Sequence, residues 1–158
     1  MILEVKKMFI AIGNDHAGVE LKIEIAALLE KTGYDIIDCG TGTADSVDYP
    51  DIAEKVASKV LEQKIAGILI CGTGIGISIA ANKIPGIRAA ICQDADTARL
   101  ARQHNDANIL ALGARTIGSG LAAEIVKTFI STEFEGGRHQ RRVDKIIALE
   151  DKYRERGR

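Results

Sequence analysis

Tryptophan is absent, and three Phe with three Tyr make aromatics only 4% of the 158 residues. Lectins and single-strand nucleic-acid platforms stack their ligands on ring faces, so neither class is favoured. Neither sign of charge dominates: 21 Lys+Arg stand against 22 Asp+Glu, a formal net charge of −1. Nucleic-acid and membrane-surface binding need a basic excess or stripe, so neither partner is expected. No apolar run approaches the roughly 20 residues of a membrane helix. Met1–Lys7 has neither the apolar stretch nor the small-residue cleavage site of a signal peptide, and the cytoplasm is the expected compartment. Cys39, Cys71 and Cys92 are odd in number, with no CxxC and no His at zinc-like spacing. Disulfides are therefore not expected. Proline falls to 2 residues while glycine reaches 16. That imbalance suits glycines at tight strand-to-helix turns better than a disordered linker.

Short apolar runs alternate with helix-period segments. Met8–Ile12 reads as a strand, followed by a helix with Leu21, Ile25, Leu28 and Leu29 on one face, then a strand over Tyr34–Asp38. Pro50 suits a first helical turn, and behind it Ile52, Ala53, Val56, Ala57, Val60 and Leu61 form the cleanest amphipathic stripe. Gly67–Ile70 is apolar on both faces, as a central parallel strand should be. A helix to about Lys83, a strand over Arg88–Cys92 and a helix over Asp94–His104 follow. Ile109–Leu112 is a fifth strand, and Leu121, Ala122, Ile125, Val126 and Phe129 mark a fifth helix. Five strand–helix repeats predict an α/β protein with a five-stranded parallel sheet in a three-layer, Rossmann-like or flavodoxin-like sandwich. No domain boundary interrupts it, so residues 1–158 read as one domain. A last helix within 138–158 carries Val143, Ile146 and Ile147 on one side. It is too weakly apolar to be central and is expected on the outside or against another subunit.

In such sheets ligands bind beyond the carboxyl ends of the strands. Those ends carry Asp15-His16, Cys39-Gly40, Cys71-Gly72-Thr73-Gly74, Cys92-Gln93 and Gly113-Ala114-Arg115. The segment Cys71–Gly76 is neither a dinucleotide fingerprint, since Ile77 stands where glycine is needed, nor a P-loop, since no Gly-Lys-Ser/Thr closes it. It reads as a backbone nest for an anion. Beside such dipoles Cys71 becomes a base or nucleophile, or else it is a small core thiol, as Cys39 and Cys92 are taken to be. His16 can bind phosphate or move a proton, unless Asp15-His16 is an Asx-type turn with a surface His. His104 ends a helix, where a His also serves the dipole. Arg138 and Arg142 are spaced i, i+4 to grip one phosphate together, unless the run is a solvated turn. No His spacing suggests a metal. A small anionic substrate and proton abstraction beside a carbonyl fit this set.

At Gly13–Gly18, Cys71–Lys83, Arg102–Asn108 and Glu135–His139 the chain resembles the B-type ribose-5-phosphate isomerases and their wider family, which includes galactose-6-phosphate isomerase subunits. The likeness runs from about Met8 to Glu150, with residues 1–7 as an N-terminal extension and Met8 an alternative start. It implies interconversion of D-ribose 5-phosphate and D-ribulose 5-phosphate in pentose phosphate metabolism, through a cis-enediolate and with no metal or cofactor. By the resemblance, Cys71 is the base, Thr73 and His104 are catalytic, and Gly72, Thr73, Gly74, Ile75 and Gly76 form the anion hole. His104 opens the furanose ring. Asp15, Tyr49 and Asn105 line the sugar, while His16, Arg115, Arg138 and Arg142 hold the phosphate. It further implies a homodimer or homotetramer with sites shared between subunits. The alternatives are an isomerase of allose or galactose 6-phosphate and a non-catalytic sugar-phosphate-binding module.

Overall fold

The computed structural model describes residues 6–157. The expectation placed on Met1–Lys7 therefore lies almost wholly outside the described residues, although Lys7 pairs with Asp35 at 3.2 Å. The elements run β1 (Met8–Asn14), a 3-10 turn (His16–Gly18), α1 (Val19–Lys31), β2 (Tyr34–Asp38), α2 (Tyr49–Gln63) and β3 (Ala66–Cys71). They continue with α3 (Ile75–Ala81), β4 (Ala89–Ile91), α4 (Ala95–Asn105), β5 (Ile109–Gly113), α5 (Ser119–Ser131) and α6 (Arg138–Glu155). No helix among the described residues is long and apolar enough to cross a membrane.

All four strand pairings are parallel, in the order β2-β1-β3-β5-β4. This is the expected three-layer α/β sandwich, with one difference from the flavodoxin order 2-1-3-4-5: the short β4 takes the edge and β5 the interior. The burial patterns agree, since all of β5 is buried while β4 is not.

Side-chain alternation along the strands splits the core in two. Ile10, Ile12, Ile68, Ile70, Leu110 and Leu112 face α1, α4 and α5. Ala11, Leu69, Cys71, Ile109 and Ala111 face α2 and α3. Right-handed crossovers demand this division: steps toward β2 or back from β4 put helices on one face, and steps from β2 through β3 to β4 put them on the other. Large apolar side chains such as Phe129, Leu29 and Ile77 are almost wholly removed from water, each contributing about 1.5–3 kcal/mol of transfer free energy. The α2 stripe docks with Ile52, Ala53, Val56, Ala57 and Val60 buried, whereas Leu61 is exposed. Pro50 sits in the first turn as expected.

Two side chains depart from the sequence pattern. Lys22 of α1 is buried, its Nζ 3.0 Å from Asp38 Oδ2 and donating to the Thr41 carbonyl at 2.8 Å. Cys39 sits half-buried at the rim rather than in the core; Cys92 is buried. Burial raises both thiols, Cys92 to about 11, so each stays protonated near neutrality. The final helix, α6, packs on α4 and leaves Ile146, Ile147, Leu149 and Tyr153 exposed.

Candidate active site

The carboxyl ends of β1, β3 and β5 are laced into one rim. The Asp15 N–H donates to the Ile70 carbonyl at 3.1 Å. The Ala114 N–H donates to the Cys71 carbonyl at 2.8 Å and the Arg115 N–H to the Gly72 carbonyl at 2.9 Å. Asp15 and His16 therefore stand beside the glycine turn, with Arg115 on its other side. Asp15 is buried and its Oδ1 accepts the Ala17 N–H at 2.9 Å. His16 Nδ1 accepts the Val47 N–H at 3.2 Å. This assigns the proton to Nε2, which is free to donate to a ligand.

The turn itself depends on one glycine. Gly74 has φ +77°, and a Cβ there would lie 2.9 Å from the Leu112 backbone. Only glycine meets both demands. Its conformation turns the Gly74 N–H onto Cys71 Sγ at 3.1 Å. Cys71 is 4% exposed, at the α2–α3 face of β3. Thr73 is exposed, and its Oγ1 accepts the Ile75 N–H at 3.2 Å. The Gly76 N–H lies in the first turn of α3, where a helix supplies no internal acceptor. Tyr49 closes the side: a Cβ on Gly76 would meet its ring at 2.6 Å. The Arg115 guanidinium lies along Gly72, 3.2 Å from where a Cβ would stand.

His104, Asn105, Arg138 and Arg142 are elsewhere. Cys71 is in register with Gly113 at the exit of β5, while Gly67 pairs with Ile109 at its start. The Gly67 N–H donates to the Asn108 carbonyl at 2.9 Å, so the chain leaving α4 lies at the opposite end of the sheet. With about 3.3 Å per residue, roughly 15 Å of strand separates the two rims. One chain thus brings together Asp15, His16, Tyr49, Cys71–Gly76 and Arg115, and separately His104, Asn105, Arg138 and Arg142.

The second group has its own scaffold. Asp106 ends α4 at φ +45°. Arg88 locks that turn, its Nε donating to the Asn105 carbonyl at 3.0 Å and its Nη2 to the Asp106 carbonyl at 2.9 Å. Arg102 Nη1 bonds Asp106 Oδ1 at 3.1 Å. The rings of His104 and His139 stack, with centroids 4.1 Å apart and planes within 10°. Glu135 Oε2 is 3.5 Å from His139 Nε2. Among the described residues Arg115, Arg138 and Arg142 pair with no carboxylate.

The donor atoms of His104, Glu135 and His139 lie within 4.8 Å of one another, which invites a metal reading. The stack argues against it, because an ion cannot lie in the plane of two parallel imidazoles at once. His139 and Glu135 were missed as site residues by sequence reasoning, although both stand in the Glu135–His139 motif. Asn14 was missed too. It is fully buried, and its Nδ2 donates to the Asp15 carbonyl at 2.9 Å and the Thr41 carbonyl at 3.0 Å, bracing the turn that carries Asp15. No spacing rule identifies such a brace.

A reactive rim on a parallel sheet is the layout of an α/β enzyme, and comparison with known proteins narrows the class. The family model described as Ribose/Galactose Isomerase matches residues 10–146. The chain is 51% identical over 144 residues to the Escherichia coli protein named ribose-5-phosphate isomerase B, covering 90% of this chain and 97% of that one. It is 52% identical to a Bacillus subtilis protein named putative sugar phosphate isomerase YwlF, covering 92% and 99%. The solved structure of Clostridium thermocellum ribose-5-phosphate isomerase B superposes with a TM-score of 0.91 at 58% identity, over 92% of this chain and 99% of the other. The chain belongs to the ribose/galactose isomerase family.

Proposed function

We propose that the protein interconverts D-ribose 5-phosphate and D-ribulose 5-phosphate, the substrate class named by its relatives. The observation that carries this reading is the Gly74 N–H donating to Cys71 Sγ at 3.1 Å inside the glycine turn. That contact fixes the sulfur at the mouth of the turn, beside the backbone donors that would face a developing oxyanion, which suits Cys71 as the base. As the base, Cys71 Sγ removes the proton from C2 of the open aldose and returns it at C1, while the O2 proton passes to O1. C1 is reduced as C2 is oxidised, so the exchange balances without a cofactor. The enediolate oxygens face the N–H groups of the turn and Thr73 Oγ1. Asp15, Tyr49 and His16 Nε2 hold the sugar and its phosphate with Arg115.

Ring opening is assigned to His104, with Asn105 beside it and Arg138 and Arg142 on the phosphate. Because these residues stand at the far rim of their own chain, the reading requires a second copy, whose far rim completes the site. The exposed Ile146, Ile147, Leu149 and Tyr153 of α6 supply apolar surface for such pairing. The protein is thus a homodimer or a tetramer of dimers.

A coupled assay on ribose 5-phosphate tests the reading. Wild type turns over, and Cys71→Ala loses about 10³-fold or more in kcat while still binding substrate. Activity is expected to survive exhaustive EDTA treatment. Near-normal turnover in Cys71→Ala removes the mechanism. A higher kcat/KM on allose 6-phosphate or galactose 6-phosphate moves the substrate to six carbons, and binding without turnover makes the chain a binding module.

A further inference from the structure

One buried imidazole has no task in this scheme. His139, the second residue of α6, is 7% exposed, although Arg138, Arg141 and Arg142 around it are exposed. Its ring covers one face of His104. Glu135 Oε2 lies 3.5 Å from His139 Nε2, and Glu135 is itself tied to α4 through its N–H, which donates to the Gln103 carbonyl at 3.1 Å. A lone His at the end of a helix rotates broadly about χ2. Proton delivery to a sugar ring oxygen needs the N–H direction held to within about 10–20°.

We infer that His139, stacked on His104 and flanked by Glu135, is a positioning residue that fixes the ring plane of His104 for the ring-opening step. The inference rests on the role proposed above for His104. The charged groups acting on His139 are His104 on α4, Arg138 and Arg142 on α6, and Glu135 in the loop before α6. Burial first, then His104 and the arginines, hold its proton affinity below the ordinary value, against the pull of Glu135. A neutral ring therefore lies on His104 near pH 7, free of like-charge repulsion.

The test separates ring opening from everything else. An aldose 5-phosphate lacking the 4-hydroxyl cannot close a furanose ring and needs no opening. His139→Ala is expected to lower kcat/KM on ribose 5-phosphate by about 10–100-fold and on the 4-deoxy analogue by less than about threefold. His139→Phe, which keeps a flat ring in the stack, recovers much of the loss and serves if the alanine variant does not fold. His104→Ala is run alongside. A selective loss in His104→Ala with equal losses on both substrates, or none, in His139→Ala overturns this inference alone. Equal losses in His104→Ala remove the ring-opening role of His104, and the inference with it.

Discussion

The two rims of the sheet are built by different means. At the rim of Cys71 the backbone does the positioning: Gly74 in a conformation closed to other residues, and carbonyls of Cys71 and Gly72 bonded to the chain after β5. At the rim of His104 side chains do it, with Arg88 and Arg102 around Asp106 and an imidazole stack flanked by Glu135. A rim made of backbone carries a fixed array of N–H donors, suited to charge that develops in a transition state. A rim made of side chains can carry proton donors and cations, suited to opening a ring and gripping a phosphate. On the function proposed above, neither is a complete isomerase site alone.

The largest expected effect breaks or confirms that division. Cys71→Ala damages only the first rim and His104→Ala only the second, so each homodimer is inactive. Mixed after dissociation and reassociation, half of the dimers are hybrids. Each hybrid has one site carrying both changes and one carrying neither. Activity is therefore expected to return to about a quarter of wild type. No recovery in hybrids shown to have formed would place both rims' residues in one chain's site and contradict the topology.

The same division explains what the sequence made legible. Glycine spacing after an apolar strand reports a backbone rim directly, so Cys71–Gly76 and its place at the end of β3 could be read in advance. So could the parallel sheet, because five short apolar runs alternate with amphipathic helices. The edge position of β4 could not, because strand order depends on which helix crosses over which strand. The separation of His104 from Cys71 was also hidden: periodicity locates His104 at the end of α4 but does not state which end of the sheet α4 reaches. No sequence pattern marks Lys22, Asn14 or His139 as buried, since each is buried by a partner far away in sequence.

A middle-sized effect sharpens the contrast in stiffness between the rims. Gly74→Ala must adopt a left-handed backbone, costing about 1–2 kcal/mol. It must also push its Cβ against the Leu112 backbone, which cannot give way as a flexible side chain would. Gly136, at the other rim, also has positive φ, but nothing lies within 4 Å of its Cβ position. Gly136→Ala therefore carries the conformational cost alone, a Tm fall of roughly 2–8 °C. Gly74→Ala is expected to fall further and to lose turnover with it, because Cys71 Sγ loses its donor. Thermal melts and the coupled assay on both variants decide this, and equal melting shifts would show that the first rim is no tighter than the second.

The smallest effect concerns the pH response of the second rim. Burial, His104 and the arginines hold the His139 imidazole below its ordinary value in the folded state. In the unfolded chain it titrates near about 6.5. Between the folded value and about 6.5 the unfolded state binds more protons, and stability rises with pH wherever that holds. His139 therefore contributes a loss of stability as pH falls through that window, and no pH dependence above it. The Tm of wild type is expected to drop more steeply from pH 7 to pH 5.5 than that of His139→Phe, whose ring cannot take up a proton. Because the arginines around the group are exposed, the difference in slope will be small and partly screened by salt. Comparing slopes rather than absolute melting points removes whatever the substitution itself costs. Parallel slopes would mean that the stacked imidazole accepts its proton as readily folded as unfolded. The second rim would then be a solvated surface, and not the desolvated stack that sets it apart from the first.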